Sequence, residues 1–116
     1  MTEHVPFISV ETGDDLIVSF GLGPHAETSL TLLRTPKFEH LLPTVERGVS
    51  VSDGSSGTEP QDFLVSVRWQ ANTVHIRSTA KNYTLDISSV DPAEINEAKA
   101  VLSQMNFDHR FEAVDV

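Results

Sequence analysis

Apolar and polar residues alternate most regularly over residues 63–87, and that stretch predicts three consecutive antiparallel strands. Phe63, Val65, Val67 and Trp69 fall on one face and Leu64, Ser66, Arg68 and Gln70 on the other, because successive side chains of a strand point to opposite sides. Val74 and Ile76 continue the apolar face in the second strand, and Tyr83, Leu85 and Ile87 in the third. A short turn over Ala71 and Asn72 sets Trp69 against Val74, Val67 against Ile76 and Arg68 against His75. A second turn over residues 79–82 sets Ser78 against Tyr83, Ile76 against Leu85 and His75 against Asp86. Both turns hold an even number of residues, so the bulky set stays on one side. A slip of one residue would expose all of it.

Before this meander, residues 5–10 and 16–22 read as a hairpin around the acidic turn at 11–15, with Leu16, Val18, Phe20 and Leu22 sharing a face. Residues 29–34 form a further strand with Leu30 and Leu32 inward. Thr35 and Pro36 supply an N-cap and a first-position proline for a short helix near residues 36–42, with Phe38, Leu41 and Leu42 as its apolar anchors and Pro43 as its end. Val49 and Val51 point inward from a strand at 48–52, and a loop rich in glycine and serine follows at 53–61.

After the meander the period changes. Asp91, Pro92 and Glu94 give an N-cap, a first-position proline and an acid at the positive end of the helix dipole. Ile95, Ala98, Val101, Leu102 and Met105 then form one stripe at helical spacing. Alternation returns over residues 107–113 as a last strand, which pairs within the chain or with the edge of a second copy. The pattern predicts a single α+β domain over residues 1–116. Its sheet is a mostly antiparallel meander of about six to seven strands, with the C-terminal helix packed on one face.

The chain has 116 residues and no cysteine, which excludes disulfides and thiol chemistry. Glu3 stands where a secretory leader carries positive charge and no long apolar run follows, which fits a cytoplasmic protein. Its 5 histidines, His4, His25, His40, His75 and His109, lack metal-ligand spacing, so no metal is expected. Gly21 and Gly23 are not followed by a capped helix, so they do not make a phosphate loop, and no cofactor is expected.

Catalytic chemistry has one candidate location. The predicted outer face of the meander carries the row Arg68, His75, Asp86 beside the row Ser66, Arg77, Thr84. His75 oriented by Asp86 would be a general base, with Arg68 or Arg77 holding an anion, as in a small hydrolase or anion-binding enzyme. The competing reading of the same residues is a solvent-facing charge ladder.

Charge points elsewhere. Asp and Glu number 17 against 8 Lys and Arg, a formal net charge of −9. Such a surface disfavours nucleic acid and anionic membranes, and either favours a basic protein partner or serves solubility alone. Asp14, Asp15, Asp53, Glu59 and Asp62, set in turns and loops, are the candidate partner-binding residues.

The order of elements resembles that of small acidic α+β immunity proteins of bacterial polymorphic-toxin systems. The residues that carry it are Val18, Ser19, Phe20 and Gly21, the strand at 30–34, the strand at 48–52 before the long loop, the meander, and the closing helix at 91–105. The resemblance implies a stoichiometric inhibitor that binds and blocks one toxin domain. A structural or oligomerisation module joined through residues 107–113 is a further alternative.

Overall fold

Nine strands, one α-helix and one 3-10 helix make up the described part of the computed structural model, which covers residues 2–25, 27–44, 47–53 and 62–115. The strands are β1 (Thr2–His4), β2 (Ile8–Glu11), β3 (Leu16–Leu22), β4 (Thr28–Arg34), β5 (Ser50–Ser52), β6 (Leu64–Trp69), β7 (Thr73–Ser78), β8 (Asn82–Asp86) and β9 (Glu112–Asp115). The 3-10 helix spans Pro36–Leu41 and α1 spans Pro92–Met105.

The fold is α+β and mostly antiparallel, as the pattern predicts, but it has two sheets rather than one. A five-stranded sheet runs β1-β8-β7-β6-β9 and a four-stranded sheet runs β2-β3-β4-β5. Two pairings are parallel, β1 with β8 and β6 with β9, and each adds a strand to an outside of the meander. One cluster of buried residues joins the inward faces of both sheets and the stripe of α1. Phe20, Leu30, Leu32, Val67, Ile76 and Leu85 are at most 1 % exposed. Burying each such side chain contributes about 1.5–3 kcal/mol.

Main-chain hydrogen bonds tie the sheets together at two corners. Gly21 and Gly23 of the β3 end donate to the carbonyls of Phe7 and His4. At the other corner Val51 donates to Asp62 and Leu64 to Val49, so β5 meets the start of β6. Further along, β6 takes β9 as its neighbour instead. Gly48 lies at this corner with φ +138, where a Cβ would come within 3.3 Å of the Phe63 ring. Glycine suits that backbone and that close approach.

The first meander hairpin has the predicted register, with Trp69 opposite Val74, Val67 opposite Ile76 and Arg68 opposite His75. Trp69, Ile76 and Leu85 are all buried in the shared core. Two details differ. A bulge between Leu64 and Ser66 turns Leu64 inward and leaves Val65 38 % exposed, so Phe63 and Val65 do not share the apolar face of Val67. The extra residue falls where β6 changes partner, a usual way for a strand to bend around a corner. In the second hairpin Ile76 pairs with Tyr83, Val74 with Leu85 and His75 with Thr84. The loop is Thr79 and Ala80 alone, since Ser78 N–H donates to the Lys81 carbonyl. The shift is even, so inward residues stay inward.

The helix calls for one refinement of the predicted layering. Asp91 caps it, accepting from Ala93 N–H at 2.9 Å, and Ala98, Val101, Leu102 and Met105 are buried. Its closest contacts are to β2 and β3, and Glu94 Oε1 accepts from Ile8 N–H at 2.8 Å. The acid at the helix start therefore also bonds the edge of β2.

The 3-10 helix stands where the short helix is predicted, yet its packing is the reverse of the prediction. Phe38, Leu41 and Leu42 are exposed, and Glu39 is the buried side chain. Thr35 makes no side-chain cap. The last strand also starts later than predicted: residues 106–108 form a turn, His109 has φ 55, and β9 begins at Glu112.

Candidate binding site

The outer face of the meander does not assemble the predicted catalytic pair. With the second hairpin shifted, His75 lies beside Thr84, whose hydroxyl is 3.3 Å from Nδ1, and Gln70 Oε1 is 3.3 Å from Nε2. Asp86 lies opposite Thr73 and accepts from Ser88 N–H at 2.9 Å. Hydrogen bonds from Ser88 hold the Asp86 carboxyl below the usual carboxylate range. Arg68 and Arg77 are exposed on the same open face. The predicted contact from Asp86 to His75 is therefore not made, and Thr84 and Gln70 flank the ring instead.

The candidate acids separate into two groups. Asp14 and Asp15 are exposed in the β2–β3 turn, where Lys37 Nζ reaches Asp14 at 3.3 Å. Asp53 and Asp62 gather instead at the β7–β8 turn. Asp62 accepts from the Ser78 hydroxyl, the Thr79 hydroxyl and Ala80 N–H at 2.7, 2.6 and 3.0 Å. Asp53 accepts from Lys81 at 2.9 Å and from the Tyr83 hydroxyl at 3.1 Å. Desolvation, reinforced by the Asp53 bond and the nearby acids, pushes the Tyr83 hydroxyl well above the usual phenol range. These two carboxylates build the turn that sets the hairpin register. Glu59 and the loop at 54–61 lie outside the described residues.

A groove of about 410 Å³ opens where α1 and the β6–β9 end of the larger sheet part. Trp69 and Ala113 line it from the strands, Lys99 and Leu102 from the helix, and Phe107 and His109 from the turn after α1. Lys99 Nζ lies 5.3 Å from the centre of the Trp69 ring and 2.9 Å from Asp115 Oδ2, so it bridges the groove from helix to strand.

A buried arginine fixes the turn at the end of this groove. The Arg34 side chain is fully shielded from solvent, and all five of its N–H donors have acceptors. Nε and Nη2 donate to the two oxygens of Glu39 at 2.7 and 2.8 Å. Nη1 and Nη2 donate to the two oxygens of Asp108 at 2.8 Å each, and Nη1 also donates to the Met105 carbonyl at 2.7 Å. Phe107 covers the guanidinium at 4.1 Å. Burial works against the Arg34 charge, but the bonds to Asp108 and Glu39 outweigh it and raise its pKa above the ordinary arginine value. The same bond from Arg34, with help from Arg110, holds the Asp108 carboxyl well below the usual carboxylate range.

Arg110 extends the network. It donates to Asp108 at 2.6 Å and to the carbonyls of Thr44 and Arg47 at 3.1 Å each. Four segments are thus held together: the end of β4, the 3-10 helix, the chain before β5 and the turn after α1. Sequence reasoning places Arg34 only as the last residue of a strand. The available signal was its position on the inward side, in step with Leu30 and Leu32, where an arginine needs buried acceptors.

Among the described residues no group of three His, Asp or Glu side chains is gathered as metal ligands, and no helix is long and apolar enough to cross a membrane. No protein-family model, curated protein or solved structure matches this chain.

Proposed function

We propose that this chain is a non-catalytic binding protein for a basic protein partner, acting in the manner of an immunity protein that neutralises a toxin domain. One observation carries the reading: five of the 8 lysines and arginines are ion-paired within the chain, while several exposed acids have no such pair among the described residues. Arg34, Lys37, Lys81, Lys99 and Arg110 are all ion-paired within the chain. Glu11, Asp15, Glu97 and Glu112 are exposed, and none takes part in an ion pair among the described residues. The field outside the protein is therefore negative, which speeds encounter with a positive surface and repels anionic ones.

The test is to capture a partner from the native host, purify it, and measure binding at low and high salt. A basic partner whose affinity falls with salt is the expected result. Replacing Asp14, Asp15 and Glu59 by their amides should weaken binding and flatten the salt dependence. Asp53 and Asp62 are left intact because they build the β7–β8 turn. Co-expression with the partner should suppress any toxicity that partner has. A neutral or acidic partner, or affinity indifferent to salt, would count against the reading.

A further inference from the structure

β9 is an edge strand. It pairs with β6 on one side, and among the described residues no strand lies along its other side. Glu112, Ala113 and Asp115 are exposed and Val114 is half-buried. Such an edge presents main-chain N–H and C=O groups to an incoming extended segment.

The pairing with β6 also assigns the two faces of β9. Ala113 stands beside Val67 and Asp115 beside Trp69, on the inward side; Glu112 stands beside Ser66 and Val114 beside Arg68, on the outward side. The groove lies beneath the inward side, between Trp69, Ala113 and Leu102, with the 56 % exposed Phe107 at its end. A segment laid along β9 turns every second side chain into that groove and carries the others outward past Glu112.

Charge decides between the occupants of this edge. Pairing two copies through β9 brings together two chains of net charge −9, each carrying Glu112 and Asp115 on that edge. A foreign strand carrying lysine or arginine meets Glu112 with the opposite sign. We infer that β9 and the groove beneath it accept an extended segment of a basic partner as an added strand, with an apolar side chain in the groove and a basic one across from Glu112. The inference rests on the binding reading above and names its surface.

The probe is a peptide of about seven residues alternating leucine with lysine, with a leucine–glutamate peptide as control. The chain has 1 tryptophan, Trp69, and it lines the groove, so its emission reports occupancy. The lysine peptide should change that emission saturably and bind about tenfold tighter than the glutamate peptide. Ala113→Tyr, which fills the groove, should abolish the response. Glu112→Lys, on the outward face, should reverse the preference between peptides and leaves the core untouched should the first variant fold poorly. No saturable change, equal response to both peptides, or variants that bind like the parent would overturn the inference. So would a dimer detected by light scattering and lost in Ala113→Tyr, which would assign the edge to a second copy. If the purified partner of the binding experiment binds both variants as tightly as the parent, the β9 surface is wrong while the binding reading stands. Failure of that reading is separate, since it shows as the absence of any salt-dependent protein partner.

Discussion

The guanidinium of Arg34 meets the carboxylate of Asp108 across 74 positions of chain, each Asp108 oxygen accepting at 2.8 Å. One arginine thereby ties the end of β4 to the turn after α1, and through Glu39 to the 3-10 helix. Planar, paired geometry of this kind suits arginine and not lysine.

Arg34→Met should therefore destabilise the fold by about 3 kcal/mol, because Glu39 is left as a nearly buried carboxylate without its partner. The loss sits at the low end for a broken buried pair, since the Asp108 side chain is 31 % exposed and keeps Arg110. Arg34→Lys should recover only part of it. Urea unfolding measures both, and a midpoint unchanged in Arg34→Met would remove the network from any account of stability.

The same contact sets an acid limit. Asp108 has a folded pKa below its unfolded value, so its contribution is complete above the ordinary aspartate value of about 3.9 and is lost as pH falls toward the depressed one. Asp108→Asn should lower stability at neutral pH and lose less of it on acidification. Parallel acid limbs for parent and variant, in unfolding measured from neutral to acidic pH, would contradict this.

At alkaline pH the sign reverses. Tyr83 has a raised folded pKa, so it stabilises the fold fully below the ordinary phenol value of about 10 and progressively less as pH rises through the folded value. The chain has 1 tyrosine, which makes phenolate absorbance a direct readout. Ionisation should be delayed in the folded chain and normal in urea, and Asp53→Asn should bring the folded value down. A normal phenol titration in the native protein would refute the burial and bonding described for Tyr83.

Core and surface should respond oppositely to truncation. Leu32→Ala, at a fully buried position, should cost about 2–5 kcal/mol. Phe38→Ser and Leu41→Ser, at positions 49 % and 71 % exposed, should each change stability by no more than about 0.5 kcal/mol. Thermal melts compare them, and a large loss at Leu41 would mean that the 3-10 helix packs by its apolar residues after all.

Periodicity in the sequence determined the α+β class, most of the inward residues of the strands, the cap and stripe of α1, and the register of the first hairpin, where Trp69 faces Val74. Those features depend on residues close in the chain: alternation, turn length, and a capping aspartate beside a proline. Tertiary structure alone decided the rest. The second hairpin is shortened by Asp62, which reaches across 16 positions to Ser78, and this separates His75 from Asp86. The 3-10 helix turns Glu39 inward and its apolar residues outward because Arg34 waits beneath it, with Asp108 closing the same site. The groove beside Trp69 exists only where β9 meets β6 and α1 ends. Each of these is a contact between segments distant in the chain, and local patterning carries no record of which polar partner a buried charge will find.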